Sequence, residues 1–415
     1  MLRFLLKVFA IVAILGMAGG GVYFYAVHQW HAAQQAVKEN RLDDARASLR
    51  ICSIVWPRSV PVQILAARVD RLDGEFESAE LHLNEAKRLA RGSTPEIQVE
   101  YLLMRVQRGE EDEVAGELIG YVEGEYPERA LILEMLARAY MRNMRHGPAF
   151  TCLTTWMQVE PDAPEPYQWR GWVLERLNDW GGAMRDYEKA LELKPDNVEV
   201  RLRLAELQLD HSDVDAAKIN LEQLFERFPD RADIAARLGQ LRFLEGDPDQ
   251  ARALLEAAVK EMPDDAPILI HLAKLELQAN NSAKAEKWLR HALEVDPTDT
   301  EAEFTLVAVL QKEGRDSEAD VVRENHRKHT VLLQKVSRII QMEAEHPNGD
   351  PDDLYEVGAL FLNSANERVG LYWLHRALQR NPEHQPTRKA LAEYYEKKGD
   401  KEKAAEHRRQ IKSSK

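Results

Sequence analysis

Only two cysteines, Cys52 and Cys152, occur in the 415 residues, far apart, so neither a disulfide framework nor a cysteine-based metal site is signalled. Positive charge is also in deficit: 56 Lys and Arg stand against 70 Asp and Glu, a formal net charge of −14. That balance argues against a nucleic-acid coat, which needs a basic face. There is no Gly-x-Ser-x-Gly elbow, no His-Glu-x-x-His and no phosphate-binding glycine loop. His326 with His329, and His28 with His31, stand three apart on a helical face, but no third ligand follows at metal-site spacing. A chain without these features is expected to be no enzyme and to need no cofactor and no metal.

What the chain has instead is a period. Pro127, Pro161, Pro195, Pro229, Pro263 and Pro297 are spaced by 34 residues. Twelve residues before each stands an alanine: Ala115, Ala149, Ala183, Ala217, Ala251 and Ala285. Eight before come Ile119, Leu153, Tyr187, Leu221, Leu255 and Leu289, and twenty-four before come mostly small residues, among them Gly171, Ala205 and Gly239. A fixed phase of this kind describes stacked supersecondary units rather than one closed core. The intervals of three, four and seven place apolar residues on single helical faces, and the small residues admit a neighbouring helix. Each proline ends a second helix, and turn residues such as Leu244-Glu245-Gly246-Asp247 separate the two helices of a unit. Cys52 falls in a small-residue column of the first unit, which predicts a buried packing role.

This pattern resembles the tetratricopeptide repeat, most fully at Ala163 to Asn197 with Tyr167, Gly171, Leu174, Ala183, Tyr187, Ala190 and Pro195 in signature positions. The resemblance implies an all-α, right-handed α-solenoid of about ten to eleven helix-turn-helix units. Extending the phase gives nine tandem units over 26–333, a helical extension and linker over 334–350, and two further units over 351–415. Val331 stands where a proline would end the ninth unit, so its second helix is expected to continue through Val336, Ile339 and Ile340. The final unit is rich in lysine and arginine, as a solvated terminal cap would be.

Residues 1–27 lie outside the repeat. Arg3 and Lys7 precede an apolar run from Val8 to Val27, whose 20 residues would span ~30 Å as a helix. Tyr23, Tyr25 and Trp30 sit where interfacial aromatics belong. The segment is read as a cytoplasmic stub and transmembrane signal-anchor, with the repeats extracytoplasmic. The alternative is a cleaved signal peptide, with Gly16-Met17-Ala18 as the cleavage site. A tetratricopeptide family of lipopolysaccharide assembly has a similar layout but also a C-terminal CxxC module, which is missing here.

The resemblance further implies that first helices line a concave groove. Its lining would include Tyr101, Met104, Arg138, Met141, Arg142, Trp169, Trp172, Arg203, Arg237 and His271. Tryptophan and arginine are frequent binding hot spots, and methionine adapts to varied apolar ligands. Such a groove suits a protein segment with apolar anchors and acidic residues. The expected function is a membrane-tethered scaffold that supports an envelope protein complex; a released carrier or holdase is the alternative.

Overall fold

The computed structural model describes residues 2–345, 349–362 and 367–411, with side chains from residue 20 onward except 343–345. Among the described residues there are 22 α-helices and no strands. The chain divides into two compact units, Met1–Ala139 and Tyr140–Lys415.

The first unit holds α1 (Leu2–Lys38), α2 (Leu42–Val55), α3 (Val60–Leu72), α4 (Phe76–Ala90), α5 (Pro95–Gln107) and α6 (Glu111–Glu123). The boundary falls in α7 (Arg129–Arg142). Then come α8 (His146–Val159), α9 (Pro164–Arg176), α10 (Trp180–Leu193), α11 (Val198–Asp210), α12 (Val214–Arg227) and α13 (Ala232–Leu244). The series continues with α14 (Pro248–Glu261), α15 (Ala266–Gln278), α16 (Ser282–Val295), α17 (Thr300–Lys312) and α18 (Asp316–Glu345). It ends with α19 (Pro351–Leu362), α20 (Glu367–Arg380), α21 (Gln385–Lys397) and α22 (Lys401–Arg409). Each unit is thus a helical-repeat solenoid of antiparallel helix pairs.

The sequence columns become the packing. Ala149, Ala183, Ala217, Ala251 and Ala285 are all fully buried, and Leu153, Tyr187, Leu221, Leu255 and Leu289 pack beside them. Asp179, Asp213 and Asp247 cap α10, α12 and α14 by accepting a backbone N–H of the first turn. Cys52 is buried and donates its S–H to the carbonyl of Ala26.

One copy departs from the phase. In α6 the buried stripe is Val114, Leu118 and Val122, while Ala115 and Ile119, the residues expected there, are only partly buried. This helix starts at Glu111, 35 residues before the start of α8, whereas α8, α10, α12, α14 and α16 start 34 apart, so its inward face is displaced by one position.

The run Val8 to Val27 lies mostly outside the residues whose side chains are described. Among the described residues no helix is long and apolar enough to cross a membrane. Over its later turns α1 serves the repeat array: Ala26, Ala33 and Ala36 are buried, and the Tyr23 ring meets the edge of Trp56 at 5.7 Å.

Candidate functional site

Met141 at the end of α7, Trp169 and Trp172 on α9, and Arg203 on α11 line one cleft, together with Gln168, Tyr187, Glu199 and Val200. Its volume is about 200 Å³. Trp169 and Trp172 are three apart, so both point from one side of α9. Trp169 meets Trp156 edge-on at 5.4 Å, and Trp156, nearly buried, donates its indole N–H to Glu160 at 2.9 Å. Trp172 is held between the guanidinium of Arg176, 5.0 Å from its ring centre, and the edge of His146 at 5.7 Å. These contacts fix the two indoles while leaving each partly exposed.

His146 is 1% exposed, and neither ring nitrogen has a hydrogen-bond partner. Burial, helped by the nearby Arg176 charge, pushes its pKa down to about 4, so the ring is neutral near pH 7.

A second cleft of about 300 Å³ follows directly, sharing Glu199 and Arg203 with the first. Leu202, Glu206, Asp233, Ala236, Arg237, Met262 and Asp265 complete it. Its arginines are already engaged. Arg203 binds Glu175 and, at 2.7 Å, Glu206, whose other oxygen accepts from Arg237 at 2.7 Å. Burial draws the Arg203 pKa down, but the hydrogen bonds it donates to Glu175 and Glu206 outweigh it and hold the guanidinium more firmly protonated. Arg231 bridges Glu199 and Asp233 from the edge. Four acids (Glu199, Glu206, Asp233, Asp265) therefore line this cleft against two arginines.

The expectation that Arg203 and Arg237 receive an acidic segment is corrected by this pairing, since such a segment would have to displace internal carboxylates from both. Met104 is also corrected: it is fully buried in the core of α5 and offers no surface to a ligand. His271 is 9% exposed, with Nδ1 donating to the Pro267 carbonyl of its own helix at 2.8 Å, a packing role. Tyr101 and Arg138 are exposed on the first unit, with Arg138 3.3 Å from Glu134. Arg142 is partly buried, and its carbonyl accepts from Arg368 at 3.5 Å.

His146 and Tyr187 were not expected at the site. His146 follows a turn rather than lying on a first helix, so no groove position points to it. Glu175 is 3% exposed and also receives the Tyr187 hydroxyl. The i, i+3 spacing of Arg203 and Glu206 was a legible sign that the arginine is partly neutralised. Elsewhere, His326 and His329 bond the Thr300 carbonyl and Glu303, and no cluster of three metal-ligating side chains exists among the described residues.

The fold and this groove define a helical-repeat protein of the all-α class. Tetratricopeptide-repeat models match residues 136–208, 176–241 and 242–310, so the chain carries tetratricopeptide repeats there. No curated protein matches the chain. The human IFIT1 dimer with m7Gppp-AAAA is 17% identical, with 85% of this chain and 89% of that one covered at a TM-score of 0.42. MamA 41-end from Desulfovibrio magneticus RS-1 is 20% identical, with 41% and 96% covered at a TM-score of 0.37. A tetratricopeptide repeat protein from Parabacteroides merdae is 16% identical, with 69% and 99% covered at a TM-score of 0.36. No ligand or partner transfers at such scores.

Proposed function

We propose that the protein is a membrane-tethered scaffold that binds a segment of a partner protein and supports assembly or organisation of an envelope complex. The observation that carries the binding role is the cleft of Met141, Trp169, Trp172 and Arg203. Two rigid indoles beside a methionine offer apolar contact at little entropic cost, while the charges of the adjoining cleft are largely paired with one another. The fitting segment inserts an aromatic or aliphatic side chain between the tryptophans. The role is binding, not catalysis.

The tether is supported by the apolar run from Val8 and by Val22, Tyr23, Phe24 and Tyr25, which stand 53–75% exposed on α1. Such a band suits a membrane interface, and Arg3 and Lys7 before the run favour the repeats on the extracytoplasmic side. A released carrier is the second reading, favoured by the packing of α1 from Ala26 onward, which cleavage after Ala18 would leave intact. The mature N-terminus separates them: residue 1 or 2 means anchor, residue 19 means carrier.

The binding role is tested with a photoreactive residue at position 172 in native membranes and a control at exposed Glu188. A discrete adduct from 172 alone is expected. Equal labelling from both, or none from 172, would assign the tryptophans to packing.

A further inference from the structure

Among the described residues, seven turns of the second unit place a residue of positive φ after the first helix of a repeat: Met144, Asn178, Ser212, Gly246, Asn280, Gly314 and Gly399. Five are glycine or asparagine, which tolerate the left-handed region, and Ser212 is small. Met144, at φ 57°, is the bulky exception, whose side chain crowds the following carbonyl. A strained residue persists where its surroundings hold it. Here the surroundings are a distant part of the chain. The Met144 side chain packs against a cluster formed by Val336, Ile339 and Ile340 of α18, Leu354 and Val357 of α19 and Trp373 of α20.

Two other contacts join the same places. Asn178 of the next turn donates its side-chain N–H to Ser337 at 3.2 Å, and Arg368 of α20 donates to the Arg142 carbonyl at 3.5 Å. The helices after the ninth repeat thus return to the turns that follow α7 and α9, at the end of the unit where the tryptophan cleft lies. Two residues beyond Met144 stands His146, buried and edge-on to Trp172. The short segment 142–146 therefore touches the returning helices on one side and the floor of the cleft on the other.

We propose that these returning helices form a releasable clasp. They pin the turn through Met144, and the turn, through His146, sets Trp172. Methionine occupies a glycine-type position because its side chain is the pin, and its backbone strain favours release once the side chain leaves the cluster. An open clasp leaves the cleft looser; a closed one presents it preformed, so a bound segment has less to order.

The test needs no partner. In the purified full-length protein, Asn178→Cys and Ser337→Cys are combined and treated with a short bifunctional thiol cross-linker. Cys52 and Cys152 are buried, with the Cys152 thiol pushed up to about 12, so they react slowly. Rapid intramolecular cross-linking is expected, slowed at least about tenfold by Met144→Gly. Glycine relieves the turn, so helix content and melting of the repeats are expected to be kept or improved in that variant. Amide exchange in α9 around Trp172 is expected to be slower in the cross-linked form than in the uncross-linked one. Absence of cross-linking, or an equal rate with Met144→Gly, overturns the clasp; unchanged exchange in α9 overturns its coupling to the cleft.

Discussion

A Cβ placed on Gly171 would lie 2.7 Å from Cε1 of Tyr187, closer than real side-chain contacts come. Gly239 meets Leu255 and Gly358 meets Leu374 in the same way, at 2.8 Å each and at the same separation of sixteen residues. The small column on one helix is thus the socket for the large column on its partner. Tyr187 cannot swing aside, because it is 2% exposed and its hydroxyl is bound to Glu175. Gly171→Ala is therefore expected to destabilise by about 1–2 kcal/mol, overpacking outweighing the gain in helix propensity. Gly116→Ala, in the exposed middle of α6 with nothing near its Cβ, is expected to stabilise by about 0.5–1 kcal/mol. Thermal melting of the two variants should shift in opposite directions.

The displaced phase of α6 yields a second contrast. Ala251→Arg puts a long cation into a fully buried helix contact and is expected to cost about 2–5 kcal/mol. Ala115→Arg, at the equivalent sequence position but partly exposed, is expected to cost less than about 1 kcal/mol. Equal losses in denaturant unfolding would show that α6 packs on the nominal phase after all.

Glu100 sits at the centre of a buried ion network. Its carboxylate accepts from Arg71 at 2.5 Å and Arg68 at 3.0 Å, and Arg68 goes on to Glu128 at 2.8 Å. Glu100 and Arg71 are each 1% exposed. Burial alone would raise the Glu100 pKa, but the guanidinium groups of Arg71 and Arg68 overcome it and hold the carboxyl below its usual range. Glu100→Ala leaves buried cations uncompensated and is expected to cost about 3–5 kcal/mol, read from the unfolding of the first unit. The network's contribution is fully present above the ordinary carboxyl pKa and is lost as pH falls below it.

His146 acts at milder acidity. Its folded pKa is lowered to about 4 from an ordinary 6.5, so the unfolded chain binds the extra proton first. The stability it contributes is complete above pH 6.5 and declines as pH falls towards 4, by about 2 kcal/mol at pH 5. His146→Leu is expected to flatten the fall in melting temperature between pH 7 and 5. An unchanged slope would place the acid sensitivity on His271 or His407, whose pKa values burial also lowers.

The sequence alone determined the helix pairs, their order and the columns that become buried, because each repeat packs chiefly on its neighbours and a short period records that local rule. Gly171, Ala183 and Tyr187 were legible for this reason. The tryptophans on α9 were legible as a pair, since their spacing alone sets their common face. Tertiary structure decided what neighbouring charges do. The sequence left open whether Arg203 and Arg237 face a ligand or pair with neighbouring acids until Glu175 and Glu206 are seen in contact with them, and Met104 reads as lining until its burial is seen. It also decided where Met144 lies. No column of the repeat connects residue 144 to residues 336–373, for the contact depends on how many small rotations accumulate between successive units. Such a sum is a property of the folded array, and no single repeat carries it.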